Sequence, residues 1–126
     1  RPPTVRAIRA DLQRELEHLE RHVVEGDAAD PFEATYAIWN GARILHTLAT
    51  GDPVISKRSA GAWALGHLPA RWHPVIQAAG RAYDGRPTDD DRRLLEASMA
   101  PFVRLVRRKL PRAKTRGTRR PAPRWS

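Results

Sequence analysis

Residues 30–51, DPFEATYAIWNGARILHTLATG, decide the fold. Asp30 is a residue type that caps the first N–H groups of a helix, and Pro31 follows in the first helical position, where a missing N–H costs nothing. Phe32, Tyr36, Trp39, Ile44, Leu45 and Leu48 then recur at helical spacing on an apolar side, and Gly51 provides the stop. The stretch reads as an amphipathic helix bounded by its own signals.

The same grammar extends in both directions. Thr4 caps a first helix in which Val5, Ile8, Leu12, Leu16, Leu19 and Val23 recur at steps of three and four, ending near Gly26. Ser56 opens a short third helix to about His67, with Ala60, Trp63, Ala64 and Leu68 inward and Pro69 ending it. A fourth runs from about Ala70 to Asp84, with Pro74 in its opening turn, Val75, Ile76, Ala79 and Tyr83 on its apolar side, and Gly85 as its stop. Thr88 caps a fifth, through Leu94, Leu95, Met99, Phe102, Val103 and Val106 to Leu110, with a kink expected at Pro101. No segment alternates as a half-buried strand does. The expected class is all-α, a five-helix bundle over residues 1–110.

Charge divides the chain. Residues 1–96 hold 13 Lys and Arg against 14 Asp and Glu, whereas residues 97–126 hold 10 basic residues and no acid, so the net charge of +9 belongs to the end. Residues 111–126, PRAKTRGTRRPAPRWS, are too poor in apolar side chains to offset chain entropy by burial and are expected to be a disordered basic tail. The chain has no cysteine, which excludes disulfides and thiolate chemistry, and it lacks both a secretion signal and an apolar run of membrane length. A cytoplasmic protein without a membrane partner is expected. Arg1 in place of methionine fits a processed product, a cut segment or a fragment of something longer, and the fragment is the expectation carried forward.

Candidate chemistry is sparse. Asp89 and Asp91 have the D-x-D pattern that holds Mg²⁺ in phosphoryl transfer, but three acids after Thr88 also complement the helix dipole with no metal at all. His18 and His22, four apart, have the spacing of a two-histidine metal site without an evident third ligand. Arg14 and His18 stand too close together for the Arg–His spacing of small helical ribonuclease toxins, and neither a nucleophile elbow nor a phosphate-binding Gly-rich loop occurs. No catalytic residue and no metal ligand is assigned to the chain. Lys57 and Arg58 stand out because cations directly after an N-cap oppose the helix dipole unless an anion joins them. Trp39 and Trp63 read as core, and Arg43 as a partner for a buried acid.

Residues 40–85, NGARILHTLATGDPVISKRSAGAWALGHLPARWHPVIQAAGRAYDG, resemble the helical C-terminal domain of the aminoglycoside adenylyltransferases, the streptomycin and spectinomycin resistance enzymes. The marks are A-R-I-x-x-T-L-x-T-G at Ala42–Gly51, Ser56-Lys57, Trp63 six residues on, Leu68-Pro69, and Tyr83 two before Gly85. Weaker similarity extends over roughly residues 4–110. The resemblance implies a domain that contacts substrate and nucleotide in transfer of AMP from ATP to an aminoglycoside hydroxyl. ATP and Mg²⁺ would be held chiefly by an N-terminal nucleotidyltransferase domain that is absent here, so this chain alone is expected to be inactive.

Ser56 and Lys57 are then similar to the turn whose lysine reaches the ATP phosphates, and Tyr83 to a tyrosine beside it. Glu33 is the best positional match for a drug-binding carboxylate. The family's tryptophan ahead of the second helix has no counterpart, and Leu45-His46 replace an aromatic pair of some members. The competing expectation is a stand-alone helical interaction module, or a nucleic-acid-binding protein using its basic tail for weak polyanion binding.

Overall fold

A computed structural model describes residues 4–112. Among them are α1 (Val5–Glu25), α2 (Pro31–Thr50), α3 (Lys57–His67), a 3₁₀ turn (Ala70–Trp72), α4 (His73–Tyr83) and α5 (Asp89–Lys109), with no strand. The caps fall where side-chain chemistry places them. Thr4 Oγ1 accepts from Ala7 N–H at 3.0 Å, Asp30 Oδ1 from Phe32 N–H at 2.9 Å, and Thr88 Oγ1 from Asp91 N–H at 3.0 Å. Gly51 and Gly85 end α2 and α4 at φ of 76° and 78°, the left-handed region that a side chain disfavours.

Helix α2 is the axis of the bundle, and α1, α3, α4 and α5 all pack on it. Its seam on α5 is narrow because Gly41 faces Phe102: a Cβ on Gly41 would lie 2.9 Å from that ring. Leu16 and Leu19 of α1, Ile38 and Ile44 of α2, and Leu95, Met99, Phe102 and Val106 of α5 are essentially inaccessible.

Two expectations change. The fourth helix starts at His73 rather than Ala70, because the chain leaving Pro69 first takes a 3₁₀ turn. Helix α5 continues past Pro101, where the kink is expected, to Lys109. Part of the expected apolar side lies outside the core: Phe32, Tyr36 and Tyr83 are 58%, 37% and 55% exposed, while small residues such as Ala34, Ala37 and Ala79 fill the interior. Trp39 is buried as expected, whereas Trp63 is only half-buried.

The basic tail beyond Arg112 lies outside the described residues. Pro111 and Arg112 are held on α1, through Gln13 Nε2 donating to the Pro111 carbonyl at 2.7 Å and Arg112 donating to Glu20 at 3.2 Å. No described helix is long and apolar enough to cross a membrane.

Candidate functional site

The site is built around the start of α3. Thr50 Oγ1 accepts from Asp52 N–H and Asp52 Oδ1 from Val54 N–H, which pins the loop leading to Ser56. Ser56 takes extended backbone, and its Oγ accepts from Ser59 N–H at 3.1 Å. The Lys57 and Arg58 amides remain as orphan donors of the first turn, with two cationic side chains beside them.

Those two cations meet different partners. Arg58 Nη2 donates to Asp84 Oδ1 at 2.8 Å, and this bond raises the Arg58 pKa. Lys57 is half-buried, with Nζ 5.4 Å from the centre of the Tyr36 ring, a cation–π contact. Among the described residues no carboxylate lies within 4.0 Å of its ammonium. Tyr83, at the end of α4, packs its ring 4.6 Å from Trp39 and has the Arg58 guanidinium 5.3 Å from its centre.

Helices α2, α3 and α4 therefore bring Ser56, Lys57 and Tyr83 to one face. Glu33 joins it through intermediates. It lies one turn before Tyr36 on α2, accepts from Asp27 N–H at 2.9 Å and stands 3.8 Å from His22 Nε2. His22 in turn lies 5.3 Å from the Tyr36 ring. A shallow pocket of about 260 Å³ adjoins Tyr36, lined by Arg14, Glu15, His18, Leu19 and Asn40.

Tyr36, Arg58 and His22 are the members of this face left out of the expected site. The signal for Tyr36 was its place three residues after Glu33 and three before Trp39, which puts all three on one ridge. Arg58 was visible as the second cation of the turn, but its partner Asp84 is 26 residues away and no local pattern predicts that pairing.

The other candidates have structural partners. Asp91, buried to 4%, accepts two hydrogen bonds from Arg81 at 2.8 Å and closes a capping box with Thr88, so the D-x-D acid belongs to an ion pair and a helix cap. His22 bonds the Glu33 carbonyl at 3.1 Å, and His18 meets the edge of Tyr36. The expected acid partner of Arg43 is replaced by Asn40, whose Oδ1 accepts from its guanidinium at 3.5 Å, because Asp11 and Glu15 only line the small cavity beside it.

The profile of the family described as aminoglycoside adenylyltransferase, C-terminal domain, matches residues 3–109. The chain belongs to that family. No curated protein and no solved structure matches it at comparable stringency. Within this adenylyltransferase C-terminal domain, Ser56, Lys57 and Tyr83 take a physical form: a capped helix start, an unpaired ammonium among the described residues, and an exposed tyrosine beside the neighbouring Arg58. An anion with several oxygen acceptors fits these donors.

Proposed function

We propose that the chain is the nucleotide- and substrate-contacting domain of an aminoglycoside nucleotidyltransferase, a transferase that moves AMP from ATP to an aminoglycoside hydroxyl and so confers antibiotic resistance in the cytoplasm. The observation that carries this reading is the half-buried Lys57 at the start of α3, lacking a carboxylate partner among the described residues and facing the Tyr36 ring, with Tyr83 on the same face. Lys57 and the first-turn amides take the triphosphate, and Tyr83 lies beside it. Ser56 fixes the turn that presents them.

Magnesium is assigned to the acidic residues of an N-terminal nucleotidyltransferase domain. Within this chain Asp84 is engaged by Arg58 and Asp91 by Arg81, so neither offers a free carboxylate to a metal. When bound, Mg–ATP would supply the adenylyl group, with pyrophosphate as the leaving group. This domain orients its phosphates and closes over them. Glu33, held by His22 and the Asp27 amide, is the carboxylate offered to the cationic acceptor.

ATP-dependent adenylylation of streptomycin by the full-length protein, followed by pyrophosphate release, tests the reading. Lys57→Ala is expected to raise the KM for ATP by about tenfold, the equivalent of about 1.4 kcal/mol, while streptomycin KM changes little. Equal KM values for ATP in the two proteins would remove Lys57 from the site.

A further inference from the structure

Arg58 follows Lys57 in sequence but does a different job. Its guanidinium is bonded to Asp84 at 2.8 Å and lies 5.3 and 5.8 Å from the ring centres of Tyr83 and Trp39. As a stabilising device this is weak, because the Arg58 side chain is 61% exposed and solvent-accessible ion pairs add little to folding. Its location carries more meaning. Asp84 is the chain neighbour of Tyr83, so a carboxylate stands beside the face that offers donors to a phosphate.

We propose that Arg58 is a positioning residue for the nucleotide: it neutralises Asp84 beside the phosphate site and holds the Tyr83 ring against Trp39. The proposal rests on the nucleotide reading above. Arginine suits both tasks, since a planar guanidinium stacks on aromatic faces while its edge donates to a carboxylate, whereas a lysine ammonium is a compact point charge. Without it, the Asp84 charge faces incoming phosphate oxygens and repels them across a short, partly screened distance. Arg86, 3.9 Å from the other Asp84 oxygen and 77% exposed, is too loosely placed to substitute.

The test is the Mg–ATP dissociation constant of the full-length protein by titration calorimetry, for wild type, Arg58→Ala, Asp84→Asn, the double variant and Lys57→Ala. These positions are exposed or half-buried, and unchanged melting curves will confirm that each variant folds. Arg58→Ala is expected to weaken binding about tenfold at low salt and by less at about 0.5 M salt, where the repulsion is screened. Adding Asp84→Asn to Arg58→Ala is expected to restore most of the affinity, because the acid that needed cover is gone.

A double variant as weak as Arg58→Ala overturns the proposal, since that is the behaviour of a purely mechanical link between α3 and α4. An unchanged constant for Arg58→Ala overturns it too. If Lys57→Ala weakens ATP while Arg58→Ala does not, the nucleotide reading stands and only the role of Arg58 falls. If neither substitution matters, the nucleotide site itself is removed.

Discussion

Asp91 shows how a single residue decides between two chemistries. A carboxylate buried to 4% survives only with compensation, and Arg81 supplies it through Nε and Nη2, each 2.8 Å from a different oxygen, while Thr88 N–H donates to Oδ2 at 3.0 Å. The Arg81 bonds, aided by Thr88 and opposed by burial, hold the carboxyl well below the usual carboxylate range. Lowered in the folded state, it contributes stability above the ordinary carboxylate pKa of about 4, and that contribution is lost as pH falls through the folded value. Arg81→Ala is expected to cost about 2–3 kcal/mol at pH 7 in urea unfolding, less than the usual cost of breaking a fully buried pair because Arg81 is half-exposed. Its stability should also fall less steeply than wild type's between pH about 5 and 2. A loss under about 0.5 kcal/mol would mean that water solvates Asp91 as well as Arg81 does.

At the scale of elements, caps and stops were legible because each is a local hydrogen-bond problem: Asp30, Ser56 and Thr88 solve it with their own side chains within three residues. The orientation of α2 was not legible in the same way. Its aromatic residues share helical spacing with the core, yet Ala34 and Ala37 are buried and Gly41 forms the seam with Phe102, while Tyr36 turns outward beside Lys57. Only the neighbours decide which of two apolar stripes faces inward, and the choice rests on how closely Phe102 approaches the backbone of α2.

Gly41 tests this directly. A methyl there meets Phe102 at 2.9 Å and Val106 at 3.2 Å, so Gly41→Ala is expected to destabilise by about 1–3 kcal/mol, despite alanine's better helix propensity. Gly80, in α4 with nothing within 4 Å of the same added atom, is the control: Gly80→Ala is expected to stabilise by about 0.5–1 kcal/mol. Thermal melts of the two variants should move in opposite directions. A shift of the same sign in both would mean that propensity, not packing, sets the position of α5 on α2.

Across the whole molecule, the ends of the described chain are joined by a contact that no local pattern announces. Arg107 of α5, 14% exposed, donates to both Glu20 oxygens at 2.9 and 2.7 Å, to Gln13 Oε1 at 2.7 Å and to the Leu110 carbonyl at 3.0 Å. The Arg107 bonds hold Glu20 below its usual pKa against the effect of burial, so this clasp, like Asp91, weakens as pH falls through that lowered value. Among the described residues helix α1 packs chiefly on α2 and α5, so loss of the clasp leaves it held mainly by those two neighbours. Arg107→Ala leaves Glu20 with Arg112 alone and strands the Gln13 and Leu110 acceptors, at an expected cost of about 2–3 kcal/mol. In native-state hydrogen exchange the α1 amides should speed up by about 30- to 150-fold, while those of α3 and α4 keep their protection. Because α1 also carries His18 and His22, which contact Tyr36 and Glu33, its opening would loosen the acceptor side of the proposed site and spare the proposed nucleotide side at Lys57 and Tyr83. Equal acceleration in every helix would show instead that the bundle opens only as one unit, and that no part of the site is independently mobile.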